Sequence, residues 1–459
     1  MSNKLKAQTP ANTGVMQKIT GFFTELMRRY LPDPFVFAVV LTLLTFVLAF
    51  AIQRQNPVDA VLNWGEGFWG LLAFTTQMAV ILAAGFVLAN SPVVDRLLDR
   101  IVSSVHTPKA AIVVATLVGG FGSYLNWGFG LVIGGVVARK LATEIKGVHY
   151  PLIIASAYSG FTMYGLGLSA TIPLTIATPG HPLEEGMGLI GLDQTIFAPP
   201  MVVTAIAVMV SLPILNAALH PKPGQSVREI DPGLFATADK GPITDDFSED
   251  TFANKLNKSR TLSMVIGLAG ILYVVFHMVQ GGKVDLNLIN FIILFLGIIL
   301  MGNPIAYVNK LNEGIKTVSG IILQFPFYAG IMAIMAGSGL VVTISGWFVN
   351  VSTAESLPFW GLVSSFVINF FAPSGGGHWV IQGPFMIEAA HTLGASMPQT
   401  AMSVMLGNAW NDLVQPFWIL PALALSRLKL KDIMGYTVVM MFWVGLVYIV
   451  AILAWGFLG

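Results

Sequence analysis

Asp412 is the residue that most needs a chemical reason. It ends the run Gly407-Asn408-Ala409-Trp410-Asn411-Asp412, inside a stretch otherwise apolar enough to lie in a bilayer. A carboxylate there costs at least ~2.5 kcal/mol on insertion scales, so it needs a partner or a proton, and such residues mark a substrate or ion path by default. Helical spacing puts Asn408 and Asp412 on one face. Unwinding at the same place frees backbone carbonyls, and carbonyl, amide and hydroxyl oxygens suit a hard cation. Upstream lies Pro373-Ser374-Gly375-Gly376-Gly377-His378-Trp379. Glycines permit a tight turn and leave N–H groups accessible, and a helix N-terminus beside them favours an anion. Ion chemistry and carboxylate chemistry thus stand side by side. The ordinary readings are a snorkelling Asp412, glycines that only let helices pack closely, and tryptophans seated at a membrane interface. His378 fits two roles equally, a donor or proton shuttle and a neutral cap of the adjacent turn.

A second pair of polar elements occurs earlier. Gly122-Ser123-Tyr124-Leu125-Asn126-Trp127-Gly128 interrupts one apolar segment, and Ser156 to Gly160 interrupts the next. The expected substrate-binding set is therefore Ser123, Asn126, Trp127, Ser374, Gly375, Gly376, Gly377, His378 and Trp379. The expected ion-coupling set is Ser156, Ser159, Gly160, Asn408, Asn411 and Asp412, with Na⁺ or H⁺ as the ion. Ser374 and His378, four apart, suggest a nucleophile and base, but no third orienting group is evident, so an enzyme is not expected. There is no cysteine and no His-x-x-x-His pair, so no transition metal or cofactor is expected either.

The elements that must hold these residues are membrane helices. The 459 residues are 55% hydrophobic and only 10% charged, against about 25% charged in soluble domains. An all-α polytopic membrane protein follows. The net charge of +1 gives no reason to expect nucleic acid. No apolar core precedes Leu31, so no cleavable signal peptide is expected. Residues 1–30 read as a cytoplasmic amphipathic N-terminus with an interfacial helix near 14–30. Residues 31–217 form a first membrane repeat with spans at 34–53, 68–90 and 197–217, a hairpin at 110–138 and a crossing at 149–178 broken near Ser156–Gly160 and Pro173. Residues 218–260 are a polar cytoplasmic loop, and 261–280 a linking span. Residues 281–459 are a second repeat, with spans at 287–302, 317–344 and 434–457, a hairpin at 356–387 and a broken crossing at 399–425.

The repeat has sequence support. Aligning 56–89 with 303–336 gives seven identities in 34 positions, among them Asn56-Pro57 with Asn303-Pro304 and Gln77 with Gln324. With both hairpins re-entrant and the N-terminus inside, 22 of the 24 Lys and Arg fall on the cytoplasmic side, all but Arg54 and Lys283. Basic loops stay cytoplasmic, and the linking span inverts the second half. Two inverted repeats, each with a re-entrant helical hairpin and a broken transmembrane helix, are the mark of a secondary transporter.

The segments Gly122-Ser123-Tyr124-Leu125-Asn126-Trp127, Ala372-Pro373-Ser374-Gly375-Gly376-Gly377-His378-Trp379 and Gly407-Asn408-Ala409-Trp410-Asn411-Asp412 carry a resemblance. Over nearly its whole length the chain resembles the bacterial short-chain fatty acid transporter family, linked to acetoacetate and butyrate uptake and grouped with the ion-transporter superfamily. The resemblance implies a dimerising scaffold domain and a transport domain built from the hairpins and broken helices. It also implies an elevator-like shift in the inner membrane, with sodium slightly preferred as coupling ion. Sodium-coupled divalent-anion symporters of that superfamily carry Ser-Asn-Thr at the tips. Here the tips read Ser-Tyr-Leu-Asn and Ser-Gly-Gly-Gly-His with no Arg or Lys, which points to a substrate with one carboxylate. A cation/proton antiporter centred on Asp412 is the second reading.

Overall fold

The computed structural model describes residues 34–222, 226–231 and 251–459, and among them it is helical with no strand. The expected interfacial helix at 14–30 and most of the loop at 218–260 lie outside the described residues. The helices begin where the sequence supplies a capping side chain, often followed by proline, whose missing N–H costs nothing in a first turn. Asn56, Ser91, Thr107 and Asn303 cap in this way.

In the first half, α1 (Pro34–Ala51), α2 (Pro57–Gly67), α3 (Leu72–Ala89) and α4 (Pro92–Ser103) precede a helical hairpin. Its arms are α5 (Pro108–Leu125) and α6 (Trp127–Glu144), packed on each other and parted by Asn126 alone. Lys140 ties α6 to α4 through Asp95 (2.6 Å) and Asp99 (2.5 Å). The next crossing runs as α7 (Tyr150–Ser159), a 3₁₀ segment (Gly160–Leu166), an irregular stretch at 167–170, and α8 (Thr171–Ile176). A short α9 (Glu184–Met187) and α10 (Pro199–Ala218) follow. After α11 (Phe252–Asn257) and α12 (Arg260–Val279), the second half repeats the order. It runs α13 (Leu286–Met301), α14 (Pro304–Ile315), α15 (Ser319–Ser338), α16 (Leu340–Val351), then a hairpin of α17 (Leu357–Ile368) and α18 (Gly375–Leu393). The broken pair α19 (Met397–Asn411) and α20 (Pro416–Ser426) leads to α21 (Leu430–Leu458).

Seven of these segments are long and apolar enough to cross a membrane. The broken crossing Tyr150–Ile176 is 94% buried and the linking helix α12 only 17%. The broken elements are therefore the centre of the molecule, and α12 is peripheral.

Three details differ from the sequence expectations. The span expected at 317–344 is two helices, because Gly339 adopts φ +80° and ends α15. That left-handed geometry is open to glycine at little cost. Pro173 does not interrupt the first broken crossing; it sits in the first turn of α8, and the backbone leaves helical geometry at 167–170 instead. The amphipathic helices α2, α4 and α14 fill intervals between the expected spans, each too short and polar to cross a membrane.

Candidate functional site

Each hairpin tip is sewn to the broken crossing of its own half. At the first tip, Trp127 N–H donates to Ser169 Oγ (2.8 Å), Ser169 Oγ donates to the Ser123 carbonyl (3.2 Å), and Leu168 N–H donates to the Tyr124 carbonyl (2.7 Å). At the second, Asn369 Nδ2 reaches the Asp412 carboxylate (2.7 Å), Asn411 Oδ1 (3.1 Å) and the Asn408 carbonyl (3.3 Å). Gln415 Nε2 closes the tip by donating to the Asn369 carbonyl (2.9 Å).

The two halves meet at Asp412. Its carboxylate is almost completely buried, and Tyr164 Oη from the first broken crossing lies 2.8 Å from its Oδ2. The same hydroxyl also bonds Asn408 Oδ1, and Tyr158 Oη bonds the Asp412 carbonyl. Asn408 Nδ2 bonds Asn369 Oδ1 and lies 3.3 Å from His378 Nδ1. His378 Nε2 faces Gln382 Oε1 and Ser365 Oγ (3.2 Å). His378 is fully buried within this network. Because Nδ1 accepts from an amide, Nε2 carries the ring proton and donates to Gln382.

Beside this network lies a narrow cavity of about 20 Å³, room for about one water. Its apolar wall is Met78, Trp127, Phe161, Ile321, Phe325 and Trp418. Its polar pole is the start of α18, Ser374, Gly375 and Gly376, with Thr171 and Tyr164 beside it. The rings interlock: Trp127 meets Trp418 edge-on at 5.4 Å, and Phe161 stacks on Tyr164 at 4.8 Å. Among the described residues no Lys or Arg lines the cavity. The triple glycine is needed for approach. A Cβ on Gly375 would sit 2.0 Å from Thr171 Oγ1, on Gly376 2.6 Å from the Phe74 ring, and on Gly377 2.4 Å from the Tyr328 ring. Three different helices thus close on the first turn of α18.

Of the expected substrate residues, Trp127, Ser374, Gly375 and Gly376 line the cavity. Asn126 and Ser374 both cap helices, accepting from Phe129 N–H (2.8 Å) and Gly377 N–H (3.4 Å). Ser123 is buried with its hydroxyl unpartnered, and Gly377, His378 and Trp379 lie behind the cavity wall. Of the expected ion residues, Asn408, Asn411 and Asp412 share one network, whereas Ser159 bonds Asn216 (2.9 Å) and the Ser156 carbonyl (2.7 Å). Ser156 Oγ has no partner, and Gly160 abuts the Gly119-Gly120 backbone. Tyr158, Tyr164, Thr171, Asn369, Gln382 and Trp418 were missed. Asn369 and Gln382 had a usable signal, a lone amide inside an uncharged run, and Gln382 also stands four residues from His378. Among the described residues no His, Cys, Asp and Glu cluster of metal-binding kind is present.

A buried polar network on broken helices beside an apolar-walled cavity is the arrangement of a carrier-type membrane protein. The family model for short chain fatty acid transporters matches residues 15–455, and the chain belongs to that family. Relatives from Escherichia coli K12 and Haemophilus influenzae Rd, both provisionally named short-chain fatty acid transporters, are 40% and 39% identical. Each match covers 95% of this chain and 99% of the relative. The fold is similar to the crystal structure of the Alcanivorax borkumensis YdaH transporter, with TM-score 0.56 and 15% identity over 93% of this chain and 98% of that one.

Proposed function

We propose that the chain imports short-chain monocarboxylates, such as butyrate or acetoacetate, across the inner membrane, coupled to Na⁺ or H⁺. The observation that carries this reading is the cavity: small, apolar-walled and closed at one pole by the N-terminus of a nineteen-residue helix. Backbone dipoles there offset one negative charge, and the aromatic wall suits a short acyl chain. With no Arg or Lys among the described lining residues, a second carboxylate has no compensation there. In this reading the halves are inverted repeats, the hairpins are re-entrant, and hairpins and broken helices form a transport domain. That domain moves elevator-fashion against a scaffold that pairs in a homodimer, with the N-terminus cytoplasmic.

The buried Asp412 among amides also favours a second reading, a cation/proton antiporter. Reconstituted protein separates the two. Saturable uptake of labelled butyrate, competed by acetoacetate but not by succinate, is expected. Sodium efflux driven by pH with no organic anion flux would establish the antiporter instead.

A further inference from the structure

We infer that Asp412 carries a proton in this conformation and that Tyr164 reads it, so that the proton is the coupling ion. The inference rests on the importer reading and follows from counting hydrogens. Tyr164 Oη has one proton but contacts two acceptors, Asn408 Oδ1 and Asp412 Oδ2. With an ionised carboxylate one contact would set oxygen against oxygen with no hydrogen between them.

Turning Asn408 over does not remove the conflict, because three chains of bonds fix the amides, each ending on a backbone carbonyl, which can only accept. Gln382 Nε2 donates to the Gly361 carbonyl (3.2 Å), so its Oε1 faces His378; His378 donates from Nε2 and accepts at Nδ1, which keeps Asn408 Nδ2 on the histidine side. Asn369 Nδ2 donates to the Asn408 carbonyl, so its Oδ1 meets Asn408 Nδ2. Asn411 Nδ2 donates to the Phe366 carbonyl (2.9 Å), so its Oδ1 meets Asn369 Nδ2. All three leave Asn408 Oδ1 pointing at Tyr164 and waiting for its proton. The hydrogen between Tyr164 and Asp412 must then belong to Asp412.

The surroundings agree. The carboxyl group's partners are Tyr164 and Asn369, both neutral. The titratable groups facing it are Tyr158 and Tyr164 from the first broken crossing, Tyr448 from α21 by way of Thr162, and His378 from α18 by way of Asn408. No cation is among them, and an unpaired buried charge is costly. Asn408 Oδ1 meets Tyr164, Asn411 Oδ1 meets Asn369 Nδ2 and Asp412 Oδ1 meets Asn369 Nδ2, so hydrogen-bond donors already face these oxygens. Loss of the proton forces Tyr164 to give its hydrogen to Asp412 and to release Asn408. The Tyr164 ring lines the cavity, so that change is felt where the acyl chain sits. Substrate and proton then travel as one neutral load.

Infrared difference spectra of the reconstituted full chain at neutral pH test the proton directly. A protonated-carboxyl stretch present in the wild type and missing in Asp412→Asn is expected; its absence from the wild type overturns the inference. Butyrate uptake in sodium-free vesicles tests the coupling. A one-unit pH gradient should sustain about tenfold accumulation per proton. Asp412→Asn, whose amide donates to Tyr164 as the acid does, should equilibrate butyrate without concentrating it. Accumulation that needs sodium and ignores the pH gradient overturns the coupling claim. A carboxyl band without any butyrate flux would sink the importer reading and leave the proton assignment standing. Tyr164→Phe keeps the ring and should shift the carboxyl band; an unmoved band removes Tyr164 from the switch.

Discussion

The two hairpin tips are built on one plan and used differently. Both turn at an extended residue with nearly the same geometry, Asn126 at φ −156°, ψ 127° and Ser374 at φ −157°, ψ 116°. Both cap the returning helix with that residue's side chain. The first tip spends one residue on the break, and its Trp127 reaches the cavity and meets Trp418 of the second half. The second spends six, 369–374, and there the backbone makes room for Asn369 and for the cavity. Matching positions in the two hairpins are thus not equivalent in chemistry. The shorter break brings Trp127 alone of the first tip to the cavity, and the longer one brings Ser374, Gly375 and Gly376.

The sharpest way to break this comparison is to add one methyl group to each tip. In Gly375→Ala the new Cβ lies 2.0 Å from Thr171 Oγ1 and 3.2 Å from Thr171 Cβ. A β-branched threonine has little rotamer freedom to yield. In Gly128→Ala the nearest atoms are Leu82 Cδ1 at 3.1 Å and the Leu82 carbonyl at 3.2 Å, a squeeze that small shifts relieve. Overpacking costs about 1–3 kcal/mol, so Gly375→Ala should lower butyrate uptake about tenfold or more in protein that still elutes as folded. Gly128→Ala should stay within about threefold of wild type, at the mild end of that range. Equal losses would mean that the second tip is not the site.

Deleting the two capping side chains gives a smaller and more informative difference. Ser374 lines the cavity, and losing a hydrogen bond to a charged group costs about 1.5–3 kcal/mol. Ser374→Ala should therefore weaken butyrate binding about tenfold or more. Asn126 lies outside the cavity lining, with its carboxamide oxygen on Phe129 N–H and its amide 3.5 Å from the Ile81 carbonyl. Asn126→Ala should cost about 1 kcal/mol of stability, as cap deletions do, and leave butyrate affinity in place. A fall in affinity with Asn126→Ala and none with Ser374→Ala would reverse the assignment of the tips.

Much of this was legible because membranes penalise polar and glycine-rich sequence so strongly. Gly122–Gly128 and Ser374–Trp379 announced their breaks by composition, and Asn408–Asp412 announced the network. Two kinds of information were hidden. Tyr158, Tyr164 and Trp418 are ordinary aromatic residues for a membrane helix, and only the approach of the first broken crossing to the second gives the Tyr164 hydroxyl its two acceptors. Asn126 and Ser374 looked alike as substrate ligands, because a cap and a ligand use the same short polar side chains. Both residues cap and only Ser374 also borders the cavity; the break length sets that difference, and the sequence pattern left the length open by several residues.

The starts of the two broken crossings differ as well, and acid should tell them apart. α19 is capped within its own segment, Ser396 Oγ accepting from Gln399 N–H. α7 has no such side chain. Its first amide, Tyr150 N–H, donates instead to the Arg228 carbonyl (2.8 Å). Arg228 N–H returns a bond to His149 Nδ1 (3.0 Å), and its guanidinium pairs with Asp432 (2.9 Å). His149 Nε2 faces Tyr436 Oη at 3.0 Å. The ring must be neutral at Nδ1 to accept. Burial, with His220 and Arg228 nearby, lowers the His149 pKa from 6.5 to about 4. A histidine lowered in this way binds fewer protons docked than free, so the docked segment 226–231 loses stability as pH falls from 6.5 toward 4 and is unaffected above that window. Hydrogen exchange at Tyr150 and Arg228 should therefore quicken, relative to the intrinsic rate, between those limits. Exchange at Gln399 should show no such change. His149→Gln, which keeps an acceptor without titrating, should flatten the response at Tyr150. Equal acid sensitivity at the two helix starts would show that the strap is not what holds the first one.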